Sequence, residues 1–560
     1  MRFGVYVVVI VFLATLGQAC NPKTTPTDTS NPPTQSPAET NPSSPAVSSS
    51  TETETPADGD WLIVRLPAEM EHLNPFTSQD AYSSSINSLI FDTLLDMDNR
   101  TLELIPKLAT SWEISEDKLT YTFHMRQDAR FTDGQPVTAH DVKFSFDTVM
   151  NPKVNAPHLR NYFQDIVSCE AVDDYTVKFV SNKPYFRHLL MLGGLEVIPR
   201  HIYSEGDFNN HPRNRNPIGS GPYIIESWTT GQQITLVRNE NYWGEKPHIL
   251  KRIYKIITND EAAFQVLTRG EMDSMDIRPE LWVKRTDSPS FTSRFNKFDY
   301  FSGGFSYIGW NMRRPMFQDK KVRQALTMLL DRYTIRDTVY YGLAEIVSGT
   351  AFIDDPEYDK SIQPWPFDPE TAKRQLDEAG WKDSNNDGIR DKNGVPFQFE
   401  LLLSNDRPEY EIMATVYQEE LKRAGISMSI RQLEWATFLQ SINEQKFDAC
   451  VLGWTTPPYF DPYQLWHSSQ TVPGGSNAVG FVNAEADRLM EEARTEFDRS
   501  KRIELYHRFH AILHEEQPYT FLFCRKSLMA VDKRFRNTIV YPRGMDSKEW
   551  WVPKSLQRYN

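Results

Sequence analysis

Between Asn21 and Gly59 lie 39 residues of which 24 are Ser, Thr or Pro, with no aromatic side chain and Val47 as the sole branched aliphatic. Such a stretch cannot bury enough apolar surface to offset its conformational entropy, so it is expected to stay extended and outside any core. It splits the chain, because whatever folds must be built from residues on one side of it. The side before it is short. Residues 1–20 read MRFGVYVVVIVFLATLGQAC, with Arg2 ahead of an apolar run from Val5 to Leu16 and small residues after it. That pattern is a secretory signal, too short for a membrane-crossing helix of about 20 apolar residues. Residues 1–19 are therefore expected to be a signal peptide and 20–59 a tether. Cys20 is the candidate lipidated residue, although Gly17 stands three residues before it, where a lipobox carries Leu, and Leu16 lies one position too early. Gly17-Gln18-Ala19 also fits ordinary signal cleavage, which is the alternative.

The body after the tether has about 500 residues, beyond the roughly 250–300 at which a single core stops growing. It keeps 59 basic and 70 acidic side chains, a net charge of −11. An acidic balance excludes a nucleic-acid backbone as partner, since phosphate binding needs basic patches. Four cysteines in 560 residues exclude a disulfide scaffold and a paired CxxC zinc module. No later segment is long and charge-free enough to span a bilayer, so the body is expected to be extracytoplasmic.

Periodicity then assigns elements. Leu119–Met125 alternates as a half-buried strand, Asp133-Gly134 marks a turn, and 139–150 has a helical pattern. Strands are expected at 234–238 and 253–257, with helices at 319–329, 369–378, 409–424, 484–495 and 501–515. Strands at 397–403, 427–433 and 448–454 alternate with those helices, which predicts an α/β arrangement in the second half.

Catalytic and metal patterns are weak. Gly219-Ser220-Gly221 is not a GxSxG elbow, Pro518 breaks any HExxH pattern after His514, and no phosphate-binding GxxxxGK[ST] loop exists. Neither an enzyme nor a cofactor is expected. Asp383, Asn385, Asp387 and Asp391 occupy positions 1, 3, 5 and 9 of a calcium-type loop, but Gly394 replaces the closing Glu. A surface turn is the simpler reading of that loop. His507, His510 and His514 share one helix face and could ligate zinc or nickel; they flank an apolar stripe, so a solvated helix edge is expected. Cys169, Cys450 and Cys524 read as buried thiols, with a Cys450–Cys524 pair as the alternative.

Five blocks in order carry a likeness: 104–146 (LIPKLATSWEISEDKLTYTFHMRQDARFTDGQPVTAHDVKFSF), 217–228 (PIGSGPYIIESW), 238–243 (RNENYW), 318–332 (QDKKVRQALTMLLDR) and 447–454 (FDACVLGW). With them the chain resembles the family 5 extracellular solute-binding proteins, the oligopeptide and dipeptide receptors of bacterial ABC importers. The resemblance implies an α/β, two-lobed periplasmic-binding-protein fold with an additional third domain and a ligand cleft between the lobes. It places lobe I at 60–98, 217–303 and 528–560, the extra domain at 99–216 and the second lobe at 304–527. A hinge is expected at Ser302-Gly303-Gly304, where glycine tolerates large backbone rotations.

The same resemblance assigns Trp435 and Trp454 to the second-lobe wall and Asp80-Ala81-Tyr82-Ser83 to the first. Arg407 and Tyr410 would border the cleft. Asp461 matches an acidic residue of the family's Asp-Pro step. The chain departs from the peptide receptors in two places. No carboxylate lies between Trp454 and Asp461 to meet an α-ammonium, and Ile442 and Val451 stand where oligopeptide binders carry arginines. A peptide remains the leading ligand; an oligosaccharide or other non-peptide solute is the alternative. The implied partners are ABC permease subunits and, through the anchor, a membrane, with the receptor itself a monomer.

Overall fold

The structure, a computed structural model, describes residues 54–559 apart from Gln79, Ser302 and Asp406. The expected signal sequence, Cys20, most of the expected tether and Ser302 of the expected hinge lie outside the described residues. The last six residues assigned to the tether are held on the body. Glu54 accepts two hydrogen bonds from Arg536 (2.5 and 2.9 Å), and Asp58 meets both Arg238 and His248 at 2.8 Å. Composition gave no warning of this, because these contacts are polar and use no apolar surface.

Local chemistry sets the helices. Thr138 and Asp141 form a reciprocal capping box ahead of Ala139–Met150. Asp368 caps Pro369–Glu378, where proline takes the first turn, Asn483 caps Ala484–Thr495, and Asp498 caps Arg499–Glu516. Thr120–Met125 alternates half-buried and buried positions, as its sequence requires.

Three sheets organise the molecule. The largest runs, edge to edge, through Phe295–Phe301, Phe523–Asp532, Ser274–Asp276, Trp61–Leu66, Lys251–Ile256, Gln233–Arg238 and Tyr223–Thr229. Ala344–Ile346 joins it at the start of Phe523–Asp532. An antiparallel sheet of Ala109–Ile114, Thr120–Met125, Thr176–Ser181 and Ile166–Asp173 shares one apolar core with it, from Leu66 through Phe123 and Phe179 to Tyr254. The third sheet, ordered Ser427–Leu433, Gln398–Ser404, Ala449–Thr455, Gly304–Trp310, Tyr519–Phe521, has separate cores on its two faces. The fold is thus α/β and two-lobed.

Two adjacent strands join the lobes. Phe295–Phe301 belongs to the large sheet and Gly304–Trp310 to the five-stranded one. The return strand, Phe523–Asp532, pairs through 523–525 with Ala344–Ile346 and through 526–532 with Phe295–Phe301. Gly304 is needed here for close approach: a Cβ there would lie 2.7 Å from the Trp454 carbonyl oxygen. A second glycine step works the same way. A Cβ on Gly219 would sit 2.0 Å from the Ile90 carbonyl, and the Gly221 N–H donates to that oxygen at 2.8 Å. Between them Ser220 is buried and donates to Asp92 (3.0 Å), which also accepts from Trp243 Nε1 (3.1 Å). Ser220 is a structural donor, not an exposed nucleophile.

The C-terminal segment is locked by Arg534, which reaches Asp60 (2.9 Å), Asp273 (2.5 Å) and Asp532 (3.5 Å), all four side chains at most 3% exposed. Cys169, Cys450 and Cys524 are buried, and among the described residues no disulfide forms. The Cys450–Cys524 alternative fails because Cys450 sits on Ala449–Thr455 opposite Gly309, whereas Cys524 pairs with Glu345 on another strand ladder. Among the described residues no helix is long and apolar enough to cross a membrane.

Candidate ligand site between the lobes

In sheets containing parallel strands, ligands bind outside the carboxyl ends. Gln398–Ser404 runs parallel to both Ser427–Leu433 and Ala449–Thr455, so Ser404, Leu433 and Thr455 end at one edge. Gly304–Trp310 enters from the other lobe at that edge, with Gly304 opposite Thr455. The carboxyl edge of the second-lobe sheet therefore faces the first lobe. The converse also holds. Trp61–Leu66 is parallel to Lys251–Ile256 and Ser274–Asp276, and Asp276 ends opposite Met529 on the strand that leads across. Two carboxyl edges confront one another over the crossing strands.

The side chains at those edges are aromatic and charged. Trp435 opens the helix Trp435–Asn443 that follows Leu433; it is 39% exposed and stacks on Phe438 (5.8 Å, 21°). Trp454 is half-buried, donates from Nε1 to Tyr519 Oη (3.3 Å) and lies parallel to Tyr307 (6.5 Å, 11°), which stacks on Tyr519 at 3.7 Å. One part of its indole is thus fixed in a ring stack and the rest remains accessible. Arg407 immediately precedes Pro408–Arg423 and lies 3.8 Å from Glu409, while Glu409 meets Arg525 of the crossing strand at 3.2 Å. Tyr410 is buried within the second-lobe core.

On the first wall, Asp80 caps Ala81–Ile90, accepting from Ser83 N (2.8 Å) and Ser83 Oγ (2.5 Å), and Ser83 is buried. Ala81 and Tyr82 are half-buried. Burial pushes the Tyr82 phenol up, and the charges that act on it are Arg65, Arg407, Asp80 and Asp260, drawn from both lobes. The loop 80–83 therefore presents one large side chain, Tyr82, and uses its polar atoms internally.

Asp461 is not an open carboxylate. It is 5% exposed, accepts from Tyr185 Oη at 2.5 Å and lies 3.1 Å from Arg494 Nε. The Arg494 guanidinium lies over both Tyr185 (4.4 Å) and Tyr463 (4.1 Å), and its carbonyl accepts from Phe186 N (3.0 Å). Tyr185 packs on His188, which meets Tyr121 of the first-lobe core. Asp461 therefore ties the second lobe to the antiparallel domain on the far side of the cleft. Ile442 and Val451, where arginines were considered, are core side chains at 6% and 1% exposure and have no route into the cleft.

Neither metal candidate assembles, and among the described residues no group of three or more His, Cys, Asp or Glu is arranged to hold an ion. In the 383–391 loop Asp383 accepts from the N–H groups of Asp387 and Gly388, Asp387 from Ile389 N and Asp391 from Ser384 N. The loop's own amides use the oxygens a calcium ion would need. The histidine helix is not a solvated edge. His507 meets Pro356 O, His510 meets Ser348 Oγ and Asp359 N, and His514 meets Gln363 O, so each ring grips a different point of the 348–363 segment.

Residues that sequence reasoning missed are Arg65, Asp260, Asp276, Arg278 and Arg525, and the latch pair Tyr185–Arg494. Each is distant in sequence from its partners. The usable signal was position: Asp276 ends a short strand at a carboxyl edge and Arg278 follows it.

A two-lobed α/β body with aromatic and charged side chains on facing carboxyl edges defines a solute-binding protein of the periplasmic type. Residues 103–476 match the bacterial extracellular solute-binding proteins, family 5 (middle), and the chain belongs to that family. It is 32% identical to the oligopeptide-binding protein AppA of Bacillus subtilis over 89% of this chain and 93% of that protein. The crystal structure of that protein in complex with a nonapeptide superposes with a TM-score of 0.77 at 30% identity, covering 89% of this chain and all of the other. NikZ of Campylobacter jejuni in complex with Ni(L-His) gives 0.75 at 27% identity, with 88% and 99% covered.

Proposed function

We propose that this protein captures a peptide between its lobes and hands it to the permease of an ABC importer, standing off the membrane on a tether that begins at a lipidated Cys20 and ends where Glu54 docks on the body. The observation that carries the reading is the pair of facing carboxyl edges, which offer Trp435, Trp454 and Tyr82 as apolar surface and both signs of charge around Arg407, Glu409 and Arg525. The likeness to a receptor solved with a nonapeptide supports an extended peptide as cargo. The core shared by the large and antiparallel sheets supports 60–98, 217–303 and 528–560 moving together with 99–216, against 304–527. Ligand bound to both walls favours the closed arrangement by its differential contacts, and closure presents one shape to the permease. Membership of a solute-binding family supports action by binding.

The test is mass spectrometry of ligand released from protein purified without denaturant, followed by calorimetry with di- to nonapeptides, oligosaccharides and nickel–histidine. A ladder of short peptides, or peptide binding in the panel, is expected. Exclusive binding of a sugar or a metal chelate would overturn the peptide assignment. Labelling with a fatty acid, lost in Cys20→Ser, checks the anchor.

A further inference from the structure

Charged side chains gather where the two carboxyl edges meet the crossing strand. Most are already committed. Arg65 donates to Asp260 (2.5 Å), Ile257 O (2.7 Å) and Thr258 O (2.9 Å), and Arg278 takes the other oxygen of Asp260. Arg525 and Arg407 both reach Oε1 of Glu409. Asp276 differs. One of its oxygens accepts from Leu528 N (3.1 Å), and among the described residues no side-chain cation comes within ion-pair distance of it. It ends the short strand Ser274–Asp276 opposite Met529, on the strand Phe523–Asp532 that changes partners between 525 and 526 as it passes between lobes.

Asp276 is exposed, yet burial raises its pKa, against the pull of Arg525 and Arg65. Arg525, Arg65 and Asp260 all act on it electrostatically, so it belongs to the charged group at the facing edges. An ionised acid there is stabilised by any cation brought within a few ångströms. Meanwhile Asp461, the acid after Trp454, is occupied by Arg494 and Tyr185. A ligand ammonium therefore needs an acceptor elsewhere.

We propose that Asp276 is the anchoring carboxylate for a cationic group of the bound peptide, either its α-ammonium or a basic side chain; this inference rests on the peptide reading above. One of its oxygens pins Leu528, so the exposed carboxylate is held in place before the ligand arrives, which lowers the ordering cost of binding.

The experiment compares the full body with Asp276→Asn in titration calorimetry, using three probes: pentaalanine, N-acetyl-pentaalanine, and an N-acetylated pentapeptide with one lysine. Asparagine keeps an oxygen for the Leu528 N–H, and Asp276→Ser, whose hydroxyl can also accept, is the second variant; thermal melting confirms that each folds. For at least one cation-bearing probe, both variants should weaken binding by about tenfold or more, with no change for N-acetyl-pentaalanine. The probe that shows the loss identifies the α-ammonium or the side chain as the partner. Unchanged affinity for both cationic probes, or an equal loss for the neutral one, overturns the inference while leaving the peptide reading intact. A folded wild-type protein that binds none of the three overturns both.

Discussion

Asp461 could serve as a ligand acid or as a latch, and two substitutions separate these roles. Its carboxylate joins Arg494 on its own lobe and Tyr185 on the opposing one. Tyr185→Phe removes only the cross-lobe hydroxyl and leaves the Asp461–Arg494 pair intact. A hydrogen bond to a charged group contributes about 1.5–3 kcal/mol, and at 2.5 Å this one belongs near the middle of that range or above. Losing about 2 kcal/mol from the closed arrangement alone lowers the closed-to-open ratio roughly thirtyfold. Ligand affinity should fall by up to that factor, while thermal stability changes little. Asp461→Ala also strands Arg494. Breaking a buried pair costs about 3–5 kcal/mol, but Arg494 is 23% exposed and keeps its ring contacts, so about 2–3 kcal/mol of overall stability is the expected loss. The assay is calorimetric peptide titration with differential scanning calorimetry, and small-angle scattering to follow closure. If Tyr185→Phe binds as wild type while Asp461→Ala abolishes binding without a fall in melting temperature, Asp461 contacts ligand and the latch argument is wrong.

Three further outcomes are expected. Trp454→Ala removes a half-buried ring and should weaken peptide binding by about tenfold at a stability cost of about 2 kcal/mol, roughly half that of a fully buried tryptophan; outright unfolding would make it a core residue only. Arg534→Met strands buried Asp60, while Asp532 keeps Arg294 and Arg558 and Asp273 keeps Arg558, and should cost about 3 kcal/mol, read by denaturant titration. Burial pushes His510 down to about 4, below its ordinary 6.5, so the unfolded chain takes up the proton first on acidification. Its contribution is complete above pH 6.5 and lost as pH falls toward 4, by up to about 3 kcal/mol; stability measured across that window should fall less steeply in His510→Gln.

Helices were legible from periodicity: 369–378 and 484–495 have the bounds expected, and Asp368 and Asn483 cap them. Strand 427–433 also stands where alternation put it. The aromatic candidates Trp435, Trp454 and Tyr82 came from family likeness; Trp454 lies near the end of Ala449–Thr455, Trp435 opens the helix after Leu433, and Tyr82 lies in the first turn of Ala81–Ile90. What was not readable is which polar atoms were already in use. Asp80, Ser83 and Asp461 looked available as sequence, yet cap, internal donor and latch consume them. The histidines and the 383–391 carboxylates likewise turn out to bond the protein's own backbone and loops.

Sequence by itself determined the Ser/Thr/Pro-rich composition of the N-terminal stretch, the alternating α/β elements and the family, because these depend on composition, local periodicity and contiguous blocks. Tertiary structure alone decided which charges remain open. Arg525 meets Glu409 across 116 positions of chain, Tyr185 meets Asp461 across 276, and Asp276 lies beside Leu528 across 252. A carboxylate's role follows from the donors that reach it and the solvent left around it, and both are fixed only when distant strands are brought to one edge.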